Sequence, residues 1–224
     1  MQIKYSLNLP TTNRPPYEFT ADWFGVNVST WDKLLPSLHA RRILEIGSFE
    51  GRSACHVIER CAQHHAIELH CVDTWEGGIE HLAGNPVTGN MSEVERRFDK
   101  NIELAREIAK HPAVVIKHKE LSSVALVALL ASRDNAASFD LIYVDGSHQA
   151  ADVLLDAVLS FQLLRVGGLL IFDDYLWSME TVGRQDPLNM PKPAIDAFLN
   201  VYQRKMRIVA DAPLRQIYAN KTSL

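Results

Sequence analysis

The chain has 224 residues, of which 47% are apolar and 22% charged, with 27 acidic against 23 basic side chains. This length and balance fit one ordinary globular domain and exclude collagen-like, low-complexity and disordered compositions. The mildly negative charge gives no footprint for a nucleic-acid backbone, and no run of about 18 apolar residues is present to span a bilayer.

Residues 1–27 are read as an N-terminal arm, because Pro10, Pro15 and Pro16 among polar residues favour turns and extended chain. Met1 to Pro16 lacks an apolar h-region, so no export signal is read. A single domain is expected over 28–224, opening with an amphipathic helix over 28–39 marked by Trp31, Leu34, Leu35 and Leu38. Ile43 to Ile46 then reads as a buried strand closed by Gly47, followed by a helix from Gly51 to about His65. Ile67 to Asp73 is the second strand, at a distance that suits a right-handed crossover. Cys55, Cys61 and Cys71 form no Cys-x-x-Cys pair, which points away from a disulfide framework or zinc knuckle and toward a reducing cytoplasm.

Trp75 to Asn90 carries Gly77, Gly78, Gly84, Pro86 and Gly89 and is expected to be a long functional loop, a lid over bound ligands. A helix over 91–110, a strand at Val114 to Ile116 and a helix from Leu121 to Ala131 follow. Phe139 to Asp145 is the fourth strand, Ala150 to Leu164 a helix, and Gly168 to Phe172 the fifth strand after a Gly167-Gly168 turn. The tail changes character: a helix from about Pro193 to Lys205 precedes Arg207 to Val209 and Arg215 to Tyr218, whose short link allows only an antiparallel hairpin. The expected fold is therefore α/β, a doubly wound, mainly parallel, Rossmann-like sheet ending in an antiparallel hairpin. Such sheets bind ligands just past the carboxyl ends of their strands.

The residues at those ends carry chemistry. Glu45-Ile46-Gly47-Ser48-Phe49-Glu50-Gly51-Arg52-Ser53 is a strand-to-helix turn whose glycines let a ligand approach the backbone and whose helix offers free N–H groups. Asp73, ending the second strand, suits the ribose hydroxyls of an adenosine-containing ligand. The loop lacks the Gly-x-Gly-x-x-Gly pattern that a dinucleotide pyrophosphate needs, and Glu50 opposes a phosphate there. A zwitterionic methionine group, by contrast, tolerates a nearby carboxylate such as Glu45.

With Leu44 to Ser53, Val72-Asp73-Thr74-Trp75, Val144-Asp145-Gly146-Ser147-His148 and Phe172-Asp173-Asp174-Tyr175 in this order, the sequence resembles the class I S-adenosylmethionine-dependent methyltransferases. More narrowly, it is similar to a small bacterial family akin to metal-dependent O-methyltransferases of the catechol and macrolide-sugar type. The resemblance covers about residues 40 to 180. It implies a cofactor site built from Glu45, Gly47, Ser48, Phe49, Gly51 and Ser53 around the methionine part, Asp73 and Thr74 at the ribose, Glu120, Leu121 and Ser122 beside the adenine, and Asp145. Lys119-Glu120-Leu121-Ser122 departs from the commoner Gly-Asp-x-Ser pattern there.

The resemblance also makes the strands bearing Asp145, Asp173 and Asp174 neighbours, with ends ~5 Å apart. Converging carboxylates repel unless neutralised, and a hard divalent cation with oxygen ligands, Mg²⁺ or a similar ion, is the usual neutraliser. His148, three residues after Asp145, is placed to accept a proton from an acceptor hydroxyl, and the resemblance carries the role of general base onto it. Trp75, Tyr175 and Trp177 are expected in loops roofing the cleft. The partner implied is a small-molecule acceptor with a hydroxyl group; a homo-oligomer is left open. Competing readings are a metal-independent methyltransferase whose Asp145 and Asp173 only position the substrate, a nicotinamide-dependent oxidoreductase, and a non-catalytic binding module.

Overall fold

The computed structural model describes residues 16–82 and 91–224. The first fifteen residues of the expected arm and residues 83–90 of the expected lid lie outside the described residues. The elements run α1 (Val28–Leu38), β1 (Arg42–Ile46), α2 (Arg52–Cys61), β2 (Ile67–Asp73), α3 (Val94–Glu107), β3 (Ala113–Lys119), α4 (Ser122–Ala131), β4 (Phe139–Val144), α5 (Ala150–Leu163), β5 (Leu164–Phe172), α6 (Pro191–Val201), β6 (Met206–Ile208) and β7 (Ile217–Lys221).

One seven-stranded sheet has the order β3-β2-β1-β4-β5-β7-β6. β1 to β5 pair in parallel, whereas β7 runs antiparallel to both β5 and β6. The expected hairpin is present, and its second strand rather than its first pairs with β5. Burial explains the choice: Ile217, Tyr218 and Ala219 of β7 are buried, while Arg207 and Ile208 of β6 are exposed at the edge.

Alternate residues of each strand feed opposite cores, as the two-residue period requires. Ile43, Leu69 and Tyr143 pack with Trp31, Ile58 and Phe98 on one face. Leu44, Val72 and Ile142 pack with Leu126, Phe161 and Phe198 on the other. Two boundaries differ usefully from expectation. β5 starts at Leu164 rather than Gly168, because Leu164 already pairs with Phe139 and the strand then bulges before Leu169 meets Leu141; Gly167, at φ +80°, sits inside this bulge. α6 starts at Pro191, a proline in the first turn, where its missing N–H costs nothing.

Strand order reverses between β1 and β4, whose carboxyl ends therefore splay their following loops apart and leave a crevice. The described part of the N-terminal segment does not stand off from the domain. Buried Asn101 of α3 accepts from the Glu18 N–H (2.7 Å) and donates to the Glu18 and Glu50 carbonyls (3.1 and 2.9 Å). This segment is thereby laid along α2 and α3 toward the crevice.

Candidate active site

The loop after β1 is held open by its own backbone. Gly47 has φ +85°, and a Cβ there would lie 1.9 Å from the Asp145 carbonyl oxygen, so the ends of β1 and β4 meet only because no side chain intervenes. Gly51 has φ +79° and caps the start of α2. Phe49 sits between them in the left-handed region at φ +46°, an arrangement that surrounding contacts must hold in place.

Asp73 supplies much of that hold. Its Oδ2 accepts from the Ser48 and Phe49 N–H groups (2.9 and 2.8 Å) and its Oδ1 from the Trp75 N–H (2.7 Å). A carboxylate has about four acceptor positions, so this leaves capacity for one ribose hydroxyl without displacing an N–H, rather than for both. Trp75 is not part of a roof: it is buried, donates from Nε1 to the Phe49 carbonyl (2.9 Å) and packs on Phe98. Thr74 accepts from the Glu76 N–H at 3.2 Å.

Glu45 lies beneath the loop. Its carboxylate is buried and accepts from the Ser53 hydroxyl (2.5 Å) and the Ser48 hydroxyl (2.7 Å). Burial pushes its pKa up to about 7, against the two serine hydrogen bonds that favour the charged form. The carboxylate of Glu50, expected to repel a phosphate, is taken up by partners on the N-terminal segment and α3. It accepts from the Thr20 N–H and hydroxyl (2.6 and 2.7 Å) and pairs with Arg97 at 2.5 Å. Its charge is thus spent on latching the N-terminal segment, and the missing glycines alone argue against a pyrophosphate cradle.

An open cleft lies over this loop, lined by Gly47, Ser48, Phe49, Glu50, Arg52, Ser53 and Asp145 together with Ala21, Trp23 and Phe24 of the N-terminal segment. Trp23, exposed in the main, packs at a tilt against Phe49 with ring centres 5.0 Å apart. Glu120 is joined to the rest of the site through its N–H to the Asp73 carbonyl (3.2 Å), and Leu121 and Ser122 begin α4 beside it, on the same strand-end edge. Glu120, Leu121 and Ser122 do not line the cleft.

A second cleft adjoins the first at Asp145 and is lined by Asp145, His148, Asp173, Asp174 and Pro191 among others. All four residues expected at the chemical end of the site are therefore brought together. His148 Nε2 lies 2.8 Å from Asp174 Oδ2, and the imidazole stacks on Trp177 with ring centres 4.1 Å apart. Asp174 takes φ +53° to make this contact. Tyr175 turns to the side, donating to Asp196 at 2.7 Å.

Asp145 and Asp173 face a group that the sequence reading overlooked. The hydroxyl of buried Tyr143 reaches Asp145 Oδ2 at 2.8 Å and also Asp173 Oδ2. Gln216 Nε2 donates to the same Asp173 oxygen at 2.8 Å, and Asp173 Oδ1 accepts the Asp174 N–H at 2.7 Å. Burial and the neighbouring carboxylates hold Asp145 and Asp173 above the usual carboxylate range, and the same two causes raise the Tyr143 phenol. The strand period was the available signal: residues 143 and 145 share a face by spacing alone.

The donor chemistry suits a hard cation, being three carboxylates with no lysine or arginine among the hydrogen bonds just described. The side chains nevertheless stand engaged with Tyr143, Gln216 and His148. Among the described residues, no group of three or more His, Cys, Asp or Glu is arranged to hold a metal ion.

Residues 44–175 match the family model described as a methyltransferase domain, which is more than half of the chain. The chain belongs to this methyltransferase family, and the sheet order and crevice are those of a class I methyltransferase fold. No curated protein sequence matches it. Among solved structures it is similar to the O-methyltransferase TomG of Streptomyces achromogenes, involved in tomaymycin synthesis and solved with S-adenosylmethionine (17% identity, TM-score 0.61, covering 88% of this chain and 80% of that one). It is also similar to an O-methyltransferase of Bacillus cereus bound to S-adenosylhomocysteine (15% identity, TM-score 0.57, 92% and 84%). A third similar structure is the methyltransferase PaMTH1 of Podospora anserina, likewise bound to S-adenosylhomocysteine (16% identity, TM-score 0.56, 88% and 79%). Membership in this family sets aside the oxidoreductase reading. Among the described residues no helix is long and apolar enough to cross a membrane.

Proposed function

We propose that the protein transfers a methyl group from S-adenosylmethionine to a hydroxyl of a small molecule or sugar, assisted by a divalent cation. The observation that carries this reading is that Asp145 lines two clefts at once. One is built on the glycine loop, and the other holds the His148–Asp174 pair. A donor lying over Gly47 to Ser53 and an acceptor lying against His148 would meet beside Asp145, which is the proximity a two-substrate transfer needs.

Bound S-adenosylmethionine supplies an electrophilic methyl group, and a cation such as Mg²⁺, held by Asp145, Asp173 and Asp174, would supply positive charge beside the acceptor oxygen. The chain's residues do the rest. Gly47, Ser48, Phe49, Gly51 and Ser53 form the floor on which the methionine part lies, with Glu45 bracing that floor from below. Asp73 fixes the loop and offers its remaining lone pair to the ribose beside Thr74, while Glu120, Leu121 and Ser122 border the adenine. His148 takes the hydroxyl proton, with Asp174 fixing the ring through Nε2 and Trp177 covering its face. Trp23 and Phe24 shield the cofactor side from water.

The test is methyl transfer from labelled S-adenosylmethionine to a panel of phenolic, sugar and aliphatic hydroxyl compounds, with and without chelator. Label on a hydroxylated acceptor that chelator abolishes and Mg²⁺ restores supports the whole reading. Full turnover in chelator removes the cation and leaves Asp145 and Asp173 as positioning groups for the acceptor. Label found only on amines or thiols overturns the hydroxyl assignment.

A further inference from the structure

We infer that Tyr143 and Gln216 are positioning residues of the transfer site, which turn one oxygen of Asp145 and one of Asp173 inward and so set how both carboxylates present themselves to the acceptor cleft. The inference rests on the methyl-transfer reading and adds to it residues from the centre of the sheet and from the C-terminal hairpin.

The geometry begins at Trp31 of α1. An indole N–H can only donate, and Trp31 Nε1 lies 2.8 Å from Gln216 Oε1, so that oxygen must face the tryptophan. The Tyr218 hydroxyl also donates to Gln216 Oε1. With its oxygen committed to two donors, the Gln216 amide is fixed in orientation and its Nε2 must face the other way. There it meets Asp173 Oδ2 at 2.8 Å and the Tyr143 oxygen at 3.3 Å. The phenol of Tyr143 in turn spans Asp145 Oδ2 and Asp173 Oδ2. Trp31, Tyr143, Gln216 and Tyr218 are each at most 2% exposed, so water does not compete for these bonds.

Two acidic side chains that would repel are thus held on their inner side, Gln216 donating to Asp173 and the single phenol proton of Tyr143 being shared between Asp145 Oδ2 and Asp173 Oδ2. Their remaining acceptor positions belong to the cleft that Asp145 and Asp173 both line. Without these bonds, two like charges at neighbouring strand ends would swing apart, and any group bound between them would have to draw them back.

The experiment compares wild type, Tyr143→Phe, Gln216→Met and the double variant. Binding of Mn²⁺ is read by the electron paramagnetic resonance of the free ion, and S-adenosylhomocysteine binding by calorimetry. Unchanged S-adenosylhomocysteine affinity certifies that the fold and the cofactor cleft are intact. Each single variant is expected to weaken Mn²⁺ binding at least ten-fold, and the double variant to be no worse than the poorer single one, because both act on Asp173. Folded single variants that bind Mn²⁺ as tightly as wild type overturn the inference. If wild type itself binds no Mn²⁺, the cation reading fails separately. Positioning is then decided on the acceptor found in the labelled screen: a several-fold rise in KM for it in Tyr143→Phe supports the inference, and unchanged KM and kcat overturn it.

Discussion

His148 and Asp174 are joined by a 2.8 Å contact between imidazole Nε2 and carboxylate Oδ2, across two loops that leave adjacent strands. Such a pair fixes the ring's tautomer and direction, as the general base proposed here requires. His148→Ala is expected to slow methyl transfer by about 10²–10⁴, the usual worth of general-base catalysis, while leaving S-adenosylhomocysteine affinity unchanged. Asp174→Asn is expected to lower kcat as well. Steady-state kinetics with calorimetry separates the two effects, and a fully active His148→Ala returns this residue to a structural role.

Gly47→Ala should destabilise the protein by more than ~2 kcal/mol, since the new methyl combines a left-handed backbone with a collision against a neighbouring strand. The collision is with the Asp145 carbonyl oxygen, 1.9 Å from the position of that Cβ. Urea denaturation measures the loss. A variant as stable as wild type would mean that β1 and β4 can separate at this point, contrary to the account of the crevice.

The latch between Glu50 and Arg97 should matter to both stability and cofactor binding. Glu50 is 1% exposed and its partner Arg97 only 14%, so Glu50→Ala leaves a nearly buried guanidinium and the Thr20 N–H without their acceptor. Breaking a buried pair from one side costs about 3–5 kcal/mol. S-adenosylhomocysteine affinity should fall too, because Ala21, Trp23 and Phe24 lose their seat on the cleft. Unaltered affinity would show that the N-terminal segment contributes nothing to the cofactor cleft.

Stability should also depend on pH through Asp156, a buried residue of α5 whose pKa is pushed from 3.8 to about 7 by burial. Below the lower value the group is protonated in both states and costs nothing. Between the two values only the folded chain retains the proton, so stability falls as pH rises toward 7, and above it the penalty is complete. A shift of this size corresponds to about 4 kcal/mol. Glu45 acts with the same sign. Asp156→Asn should therefore flatten, without abolishing, the decline in unfolding free energy between acid and neutral pH. An unchanged decline would place the titration elsewhere.

Local pattern made much of this legible. The alternation of Ile43 to Ile46, Ile67 to Asp73 and Phe139 to Asp145 with helical segments specifies a parallel sheet, and acidic residues closing strands specify its ligand edge. What stayed hidden depends on contacts far apart in the chain. Trp31 and Gln216 are separated by 185 positions, and nothing local to either signals the other. The same holds for Asp73, whose place at a strand end was plain but whose three backbone donors depend on how the glycine loop folds over it. The hairpin was visible as a hairpin, yet which strand it inserted followed from burial against β5 and not from its short link.

The cofactor assignment underlies everything else, and a calorimetric titration of the purified protein with S-adenosylhomocysteine, run beside an identical titration with NAD⁺, decides it. The expected result is saturable one-to-one binding of S-adenosylhomocysteine, weakened in Asp73→Ala by about 1.5–3 kcal/mol, the range for hydrogen bonds to a charged group, and no heat from NAD⁺. Tight NAD⁺ binding, or no binding of S-adenosylhomocysteine by the folded protein, would contradict the account.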